Sequence, residues 1–514
     1  MNTSQKEVEL KLELPPASLP LIKQVPLLKA LKPSPSRAAE ISVYFDTDKH
    51  KLRKNGLMLR VRRIGHRHVQ TIKASSSSGP FERGEWENQI AGNEPDLSLA
   101  KDSPLERLAS DKLRRQLKPI VETRVKRTVY QIVDNARVIA LMVDQGTIDT
   151  GDRSLPLCEI ELELERGNVA DLFDVARELI RVLPARLAFK SKSERGYELM
   201  EGGPDTPVKA ATIDLLANMC TRDVFRMIGL ACLKQVVDNV PALIKGDPEG
   251  VHQMRVGLRR LRAAMSLFAG LLRDPQTAGI KAELKWLTGE LGPAREFEVL
   301  VNRVVAPIKR QRTNRDGVRS FIDELARKRE AAVTRAQNTV QSKRFGVLTL
   351  DIAAWLQAGH WITPKDDPVR DRGDLPITIF AAEQLTRRWR KLRKKRKALA
   401  QLNARGRHKL RIQTKKLRYA VEFFASLFAS KRAAKRLKRL LPVLEQLQDG
   451  LGELNDIAVD KERLAAISIH RGSKPNRAYA AGLLSEREDT RVEAAMAVAT
   501  EAYAELGKAK PFWR

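Results

Sequence analysis

Glu7, Glu9, Lys11 and Glu13 occupy every second position of an early stretch of the chain, with Val8, Leu10, Leu12 and Leu14 alternating with them. That alternation has the period of a β-strand and gives one segment a charged face and an apolar face. A surface strand with its polar face in water is the ordinary explanation of such a pattern. Other segments repeat it with complementary charge. Arg83, Glu85 and Glu87 alternate within Phe81 to Gln89, and Glu159, Glu161, Glu163 and Glu165 nearly copy the first strand. Basic strands lie between these, one carrying Arg60 and Arg62 and another Lys73. A closed barrel whose interior alternates carboxylates with Arg and Lys would bind a hard cation and a polyanion together.

A second constellation lies in the other half of the chain. His252, Arg255, Arg259 and Arg262 stand at i, i+3, i+7 and i+10, one face of a helix, while Leu258, Leu261, Met265 and Phe268 turn toward the other side. The pattern recurs as His408, Arg411, Lys415 and Arg418, and the paired cations Arg259-Arg260 recur as Lys415-Lys416. About forty residues after each comes a second match, Leu291-Gly292 with Arg295-Glu296, then Leu451-Gly452 with Asn455-Asp456. An internal duplication with pseudo-twofold symmetry accounts for this order. A single basic stripe is ordinarily a solvated face; two stripes brought together by symmetry favour a shared anion site, and Arg geometry suits phosphate oxygens. The run from Arg387 to Lys397 is less specific: solvated helix, nucleic-acid patch or extension of the anion groove. Aromatic residues make up only 5% of the chain, which counts against single-strand binding by base stacking. Inorganic polyphosphate, a polyanion without bases, fits such a surface.

The elements that must carry these residues divide the chain in two. Residues 1–200 hold 34 Lys+Arg against 28 Asp+Glu, and residues 201–514 hold 60 against 35, within a total formal charge of +31. A nearly balanced region thus precedes a strongly basic one, and polyanionic partners follow from the charge. The first region reads as about eight strands: one ending at Tyr44–Thr47, then Leu57–Arg63, Val121–Val133, Val138–Asp144 and Leu157–Glu165 among them. Helical spacing covers Leu105–Leu117 and Asp171–Leu183, the latter opened by Asn168, and Ser75–Pro80 reads as a hairpin loop. The expected fold class is α+β: an N-terminal closed antiparallel barrel with flanking helices, over residues 1–200, then an all-α, internally duplicated bundle. A linker at 201–209 contains Gly202-Gly203-Pro204, and the helical region spans 210–510. Its repeats cover about 210–358 and 377–505, with a Pro- and Gly-containing loop from Gly359 to Pro376 between them. Cys158, Cys220 and Cys232 lack metal-ligand spacing and read as buried thiols of a reducing compartment. No signal-peptide core and no apolar run of membrane-spanning length is expected, so the expected location is the cytoplasm.

Residues 1–200 resemble the CYTH domain, the barrel of the triphosphate tunnel metalloenzymes. The resemblance rests on Glu7-x-Glu9-x-Lys11, Arg60-x-Arg62, Thr71-x-Lys73, Arg83-x-Glu85, Asp144, Glu159-x-Glu161 and Lys192 before Arg195-Gly196-Tyr197. Residues from about 210 to 505 resemble the CHAD domain, and the domain order is similar to that of bacterial inorganic triphosphatases. The resemblance implies a tunnel in which tripolyphosphate is held by Lys11, Arg60, Arg62, Lys73, Arg83 and Lys192. Arg124 joins the phosphate ligands by strand parity and Arg127 by motif match. Glu7, Glu9, Glu159 and Glu161 would hold Mg²⁺ or Mn²⁺, with Asp144 and Glu85 in support, and Glu7, Glu9, Lys11, Lys73 and Glu85 would form the catalytic set. In the CHAD part it implies polyphosphate binding by His252, Arg255, Arg259, Arg260, Arg262, His408, Arg411, Lys415, Lys416 and Arg418, and association with polyphosphate granules. Two departures stand out: Glu296 and Glu298 replace the usual aspartates of the first repeat, and Asn455 and Ala458 replace an Arg and an acid in the second.

The leading expectation is a metal-dependent inorganic triphosphatase. The alternatives are a polyphosphate-binding protein with an idle barrel, and a CYTH enzyme for an organic triphosphate, an adenylate cyclase or a thiamine triphosphatase. The full set of barrel charges disfavours the first, and the lack of an aromatic base pocket among the motifs disfavours the second. A nucleic-acid-binding protein would need base-reading groups that the motifs lack. No phosphate-loop, Ser/His/Asp or zinc-ligand motif competes.

Overall fold

The computed structural model describes residues 5–35, 39–75, 81–310, 316–363, 367–393, 399, 401–469 and 475–513, with side chains left aside at the margins of these segments and throughout 303–321 and 458–490. The strands are β1 (Gln5–Glu13), β2 (Ser34–Pro35), β3 (Glu40–Asp46), β4 (Leu57–Ile64), β5 (Arg67–Ser75), β6 (Glu82–Ile90), β7 (Lys118–Val133), β8 (Val138–Asp149), β9 (Ser154–Arg166) and β10 (Arg186–Ala188). Eight of them pair antiparallel in the order β1-β6-β5-β4-β3-β7-β8-β9, and β9 returns to β1 to close a barrel. The short β2 pairs with β7, and β10 pairs with the end of β1.

Closure answers the question posed by the first strand. Leu10, Leu12 and Leu14 are buried, and so are Leu172, Phe173, Val175, Ala176 and Leu179 of helix α4, in the same apolar cluster. The apolar face of β1 therefore looks outward beneath a helix, and its charged face lines the barrel. The solvated-surface explanation does not hold, because a barrel gives each strand a second, internal face.

Short helices α1 (Pro26–Lys29), α2 (Lys51–Lys54) and α3 (Asp111–Gln116) decorate the barrel, followed by α4 (Val169–Val182) and α5 (Lys192–Glu201). Asn168 and Asp171 form a reciprocal capping box at the start of α4. The helical spacing at Leu105–Leu117 yields only α3, because Ser110 caps it by accepting from Leu113 N at 3.2 Å, and the residues before it make turns. β8 continues past Asp144 to Asp149 through Gly146, where a Cβ would fall 1.8 Å from the Arg124 carbonyl oxygen. Glycine there permits a backbone approach that any side chain would prevent. Most of the Ser75–Pro80 loop lies outside the described residues.

The rest is helical: α6 (Thr221–Asp238), α7 (Val240–Ile244), α8 (Pro248–Leu267), α9 (Pro275–Arg310), α10 (Asp316–Gln341), α11 (Lys343–Ala358), α12 (Asp367–Asp374), α13 (Ile377–Arg393), α14 (Ala404–Phe424), α15 (Lys431–Ile469) and α16 (Pro475–Lys508). The segment read as a loop from Gly359 to Pro376 thus contains α12. The stretch Thr221–Ile244 is long and apolar enough to cross a membrane by length and composition, contrary to the reading from sequence. Its most apolar window is 72% buried inside the protein, where α6 packs on α8 and α11. Cys158 and Cys232 are buried; Cys220 is partly exposed and donates to Asp223, so it departs from the buried-thiol expectation.

One apolar cluster runs from the barrel into the helices, from Leu10 and Phe173 to Phe345, Phe225 and Trp355. α4 and β10 meet α11 at this junction. Arg177 donates to Asp351 at 2.8 Å, Lys343 reaches the Arg181 carbonyl, and Gly346 lies against the Ala185 carbonyl.

Candidate functional site: an ionic tunnel and a paired basic stripe

The barrel interior encloses about 260 Å³. Seven cations line it, Lys11, Arg60, Arg62, Lys73, Arg83, Arg127 and Lys192, together with eight carboxylates, Glu7, Glu9, Glu40, Glu85, Glu87, Asp144, Glu161 and Glu163. Alternation puts them there: each strand contributes residues two apart, and antiparallel register sets acid against base. Lys11 stands opposite Glu161, Lys73 opposite Glu85, and Arg127 opposite Asp144.

Two ionic centres result. In the first, the Lys192 ammonium sits 2.8 Å from Asp144, 2.5 Å from Glu159 and 2.9 Å from Glu161. Arg127 forks onto Asp144 at 2.7 and 2.6 Å and reaches Glu161 at 2.8 Å, while Lys11 bridges Glu161 and Glu9. Burial works against the Glu161 charge, but Lys11, Lys192 and Arg127 outweigh it and hold this carboxyl well below its usual range. In the second centre, Lys73 bonds Glu7 at 2.5 Å and Glu85 at 3.2 Å. Burial pushes Glu85 up to about 7, helped by the charge of Glu7 and opposed by Lys73. Toward the end of β4, Arg60 donates to Thr71 at 3.0 Å, and Arg62 contacts Glu87 at 3.1 Å and Glu40 at 3.6 Å.

α5 packs against one side of this interior. Its Lys192 and Ser193 line the cavity, Gly196 packs against Val121, and Tyr197 donates to Asp46 at 2.6 Å. Asp46 is fully buried and also accepts from the backbone of Thr47, Leu52 and Arg53. The Arg195-Gly196-Tyr197 motif is thus a seat for the helix that carries Lys192.

The residues expected at the tunnel meet there with one exception. Arg124 points outward, its side chain 64% exposed and paired with Glu122 of its own strand. Arg127 takes the interior place. The two are three residues apart and must face opposite sides of one strand. Of the expected metal ligands, Asp144, Glu159 and Glu161 converge, with ligand atoms within 4.8 Å of one another, whereas Glu7 and Glu9 engage Lys73 and Lys11 instead. Three carboxylates already arranged around a cationic ammonium are the oxygen donor set a hard divalent ion takes. Glu40, Ser42 and Tyr44 of β3 also line the cavity. Their period-two spacing was the available signal, obscured because only one of the three is charged.

In the helical part, α8 and α14 lie against each other. Arg259 of the one lies close enough to Arg411 and Lys415 of the other that its charge lowers the affinity of both for a proton. Burial and these neighbours push Lys415 down to about 7. The two repeats make the same secondary contacts: Arg255 faces Gly292 and lies 3.7 Å from Glu296, and Arg411 faces Gly452 and lies 3.7 Å from Asp456. His408 contacts Asn455 at 2.8 Å, and His252 is partly buried near Arg295. Arg262 is exposed, and Arg418 lies 3.4 Å from Glu422 and 3.5 Å from Glu445. Arg260 is a correction. Its guanidinium is buried, donates to Gln235 at 3.2 Å and lies over Phe423, because one residue of helix turns it about 100° away from Arg259. Lys416 likewise leaves the stripe and faces Arg388 and Lys391 of α13. Within the 387–397 run, Trp389 is buried, and 394–397 lie outside the described residues.

A closed barrel with an interior of opposed acids and bases, joined to a duplicated helical bundle, defines the class: the chain carries a CYTH domain, whose family model matches residues 5–197, followed by a CHAD domain, matched over 228–465. Among curated proteins it is similar to an inorganic triphosphatase of Haemophilus influenzae, 32% identical over 162 residues, covering 31% of this chain and 45% of that protein. The chain thus spans less than half the length of that relative. An uncharacterized protein of Mycobacterium tuberculosis is 24% identical over 512 residues, covering 94% of this chain and 92% of that protein. Among solved structures, the CHAD domain from the plant Ricinus communis matches with a TM-score of 0.50 and 27% identity, covering 59% of this chain and 98% of that one.

Proposed function

We propose that the protein is a metal-dependent inorganic triphosphatase, hydrolysing tripolyphosphate to pyrophosphate and phosphate, and that its helical half binds polyphosphate. The charge balance of the tunnel lining carries the first reading. Seven cations against eight carboxylates are close to neutral. A bare polyanion would gain little there, since every cation it met already has an acid to leave. A triphosphate arriving with its divalent cations leaves the cavity near neutral and gives both kinds of side chain a partner. The lining holds one aromatic residue, Tyr44, so no base-stacking pocket accompanies the phosphate site. That favours the inorganic substrate over a nucleotide.

Arg60, Arg62, Arg83, Arg127 and Lys73 orient the phosphate chain, with Arg forks suited to its oxygens. Asp144, Glu159 and Glu161 would hold the ion, Mg²⁺ or Mn²⁺, with Glu9 beside Glu161 on the neighbouring strand, joined to it through Lys11, and Glu7 two residues further along that strand. Such an ion supplies neutralisation of phosphate charge and a more acidic bound water. The chain's own contribution is positioning and charge stabilisation in a largely buried site. The test is a phosphate-release screen with each metal over tripolyphosphate, ATP, thiamine triphosphate and long-chain polyphosphate. Hydrolysis of tripolyphosphate at the highest kcat/KM is expected, and preference for ATP would overturn the substrate assignment.

The cluster of Arg259, Arg411 and Lys415 supports the second reading. Three cations from two helices meet with Asp456 as the nearby acid, a site that an anion would stabilise. In the full chain, removing Arg259 and Lys415 should weaken long-chain polyphosphate binding more than removing the exposed Arg387 and Arg390. Equal losses would leave only non-specific electrostatics.

A further inference from the structure

We propose that Arg195 is a positioning residue for the buried carboxylate Glu159: its guanidinium, anchored on Glu13, holds one oxygen of Glu159 from behind and leaves the other turned toward the ion. The inference deepens the metal-dependent reading proposed above and rests on its assignment of Glu159 to the ion.

Glu13 is the last residue of the alternating charged face of β1, yet it does not line the tunnel. It stands directly opposite Glu159 on β9. Like charges directly opposite on paired strands repel, and here one of the two carboxylates, Glu159, is buried. A cation must therefore stand between them, and Arg195 does. Its Nη1 lies 3.3 Å from Oε2 of Glu159, and its Nη2 lies 3.5 Å from Oε1 of Glu13. Nη2 also donates to the Pro156 carbonyl at 3.3 Å, which fixes the plane of the fork. From β10, Arg186 donates to the other oxygen of Glu13 at 3.3 Å.

α5 delivers both cations that touch Glu159. Lys192 and Arg195 are three residues apart and share one face of the helix. They take different oxygens: Lys192 donates to Oε1 at 2.5 Å and Arg195 to Oε2 at 3.3 Å. Lys192 lines the tunnel, whereas Arg195, Glu13 and Glu159 border a separate cavity of about 300 Å³ that reaches Val237 and Asp238 of α6. Glu159 thus stands in the partition between the two spaces. Partners behind a ligating carboxylate fix its orientation, and a planar fork can hold two acids where an ammonium is a point charge. Without Arg195, Oε2 of Glu159 faces Glu13 with no guanidinium between them. The carboxylate then turns away from the place it shares with Asp144 and Glu161.

The experiment compares Arg195→Ala and Arg195→Lys with Arg153→Met in the full chain. Arg153 also ties α5 to the barrel, donating to the Leu199 carbonyl at 2.8 Å, but its contact is remote from the Glu159 carboxylate. The probe is Mn²⁺ with diimidotriphosphate, whose bridging NH groups resist hydrolysis. Two quantities are read: the Mn²⁺ concentration that half-fills the protein at fixed diimidotriphosphate, by electron paramagnetic resonance, and KM for tripolyphosphate at saturating Mn²⁺. Arg195→Ala should raise the half-filling concentration on the order of tenfold and Arg195→Lys about threefold, as loss of a partner behind a metal ligand does. KM should stay within about twofold, because every cation that lines the tunnel remains. Arg153→Met should move neither quantity. Wild-type half-filling in either Arg195 variant, or the same rise in Arg153→Met, would overturn the proposal. So would a KM that rises as much as the Mn²⁺ value, which marks a displaced α5. If Arg195→Ala fails to fold, Arg195→Lys decides alone. A wild-type chain that takes up no Mn²⁺ with diimidotriphosphate removes the metal reading and this inference with it. One that takes it up but hydrolyses only ATP removes the substrate reading and leaves this inference standing.

Discussion

Arg124 and Arg127 show what a single residue can decide. Both are arginines on one strand, and strand parity sends one into the tunnel and the other into solvent. Arg127→Met should lower kcat/KM for tripolyphosphate on the order of a hundredfold, while Arg124→Ala should leave it within about twofold, as expected for transition-state contacts against surface changes. Steady-state kinetics of the two variants decides this. Glu161→Gln, a near-isostere, should abolish hydrolysis while the far-ultraviolet circular dichroism stays that of the wild type; activity retained at saturating metal would remove Glu161 from the metal set. In the helical half, Lys415 faces Arg411 and Arg418 on its own helix, Arg259 on α8 and Asp456 on α15. Its pKa in the folded chain is about 7 against an ordinary 10.5, so between those values the unfolded chain binds a proton that the folded chain does not. Stability should rise with pH across that window, and the cost of the charge is fully present below it. Lys415→Met should therefore raise Tm at pH 6.5 by a few degrees and yet weaken polyphosphate binding. Polyphosphate affinity of the wild type should fall as pH rises above about 7, by up to about tenfold per pH unit for one linked proton, and Lys415→Met should flatten that dependence. The charged positions of the tunnel could be read from sequence because alternation is a local signal. The inward turn of Arg127 could not, because it depends on where β7 enters register with β8. Arg260 was misassigned for the opposite reason: adjacency in a motif was taken for adjacency in space.

At the scale of elements, α5 is the part of the barrel most exposed to perturbation. Gly196 packs so closely that a Cβ would fall 2.5 Å from the Val121 side chain, which is itself buried. Gly196→Ala should lift α5 from the barrel and raise KM for tripolyphosphate on the order of tenfold, with smaller effect on Tm; unchanged kinetics would show that α5 does not set the geometry of Lys192. Tyr197→Phe removes a hydrogen bond to a buried carboxylate, which should cost about 1.5–3 kcal/mol of stability by denaturant unfolding. The helix at 192–201 escaped the reading from sequence, although Ser191 and Glu194 make a capping box visible in the letters. Strands were found more readily than their ends, and β8 ran on through Gly146 because a strand's length is set by its partners as much as by its own residues. The repeat, by contrast, was plain from sequence: Arg255 and Arg411 make matching contacts because the duplicated positions carried matching side chains.

For the molecule as a whole, the apolar cluster that joins barrel to bundle has a measurable signature. A barrel and a bundle that merely shared a tether would melt separately; a shared core couples them. Calorimetry should show one cooperative unfolding transition, and two resolved transitions would mean that the contact of α4 with α11 contributes little. None of this was visible in the sequence, where Gly202-Gly203-Pro204 reads as a tether and each half has a plausible core of its own. Contacts between distant segments leave no periodic trace. The same junction bears on how such a chain can be taken apart. Cutting at residues 202–207 would strip α4 of Phe345 and its neighbours and leave an oily flank in water, inviting clumping in the liberated barrel. Exchanging the bundle for a foreign one would demand a matching flank as well as a matching linker. In this protein the two halves are thereby to be engineered as a pair.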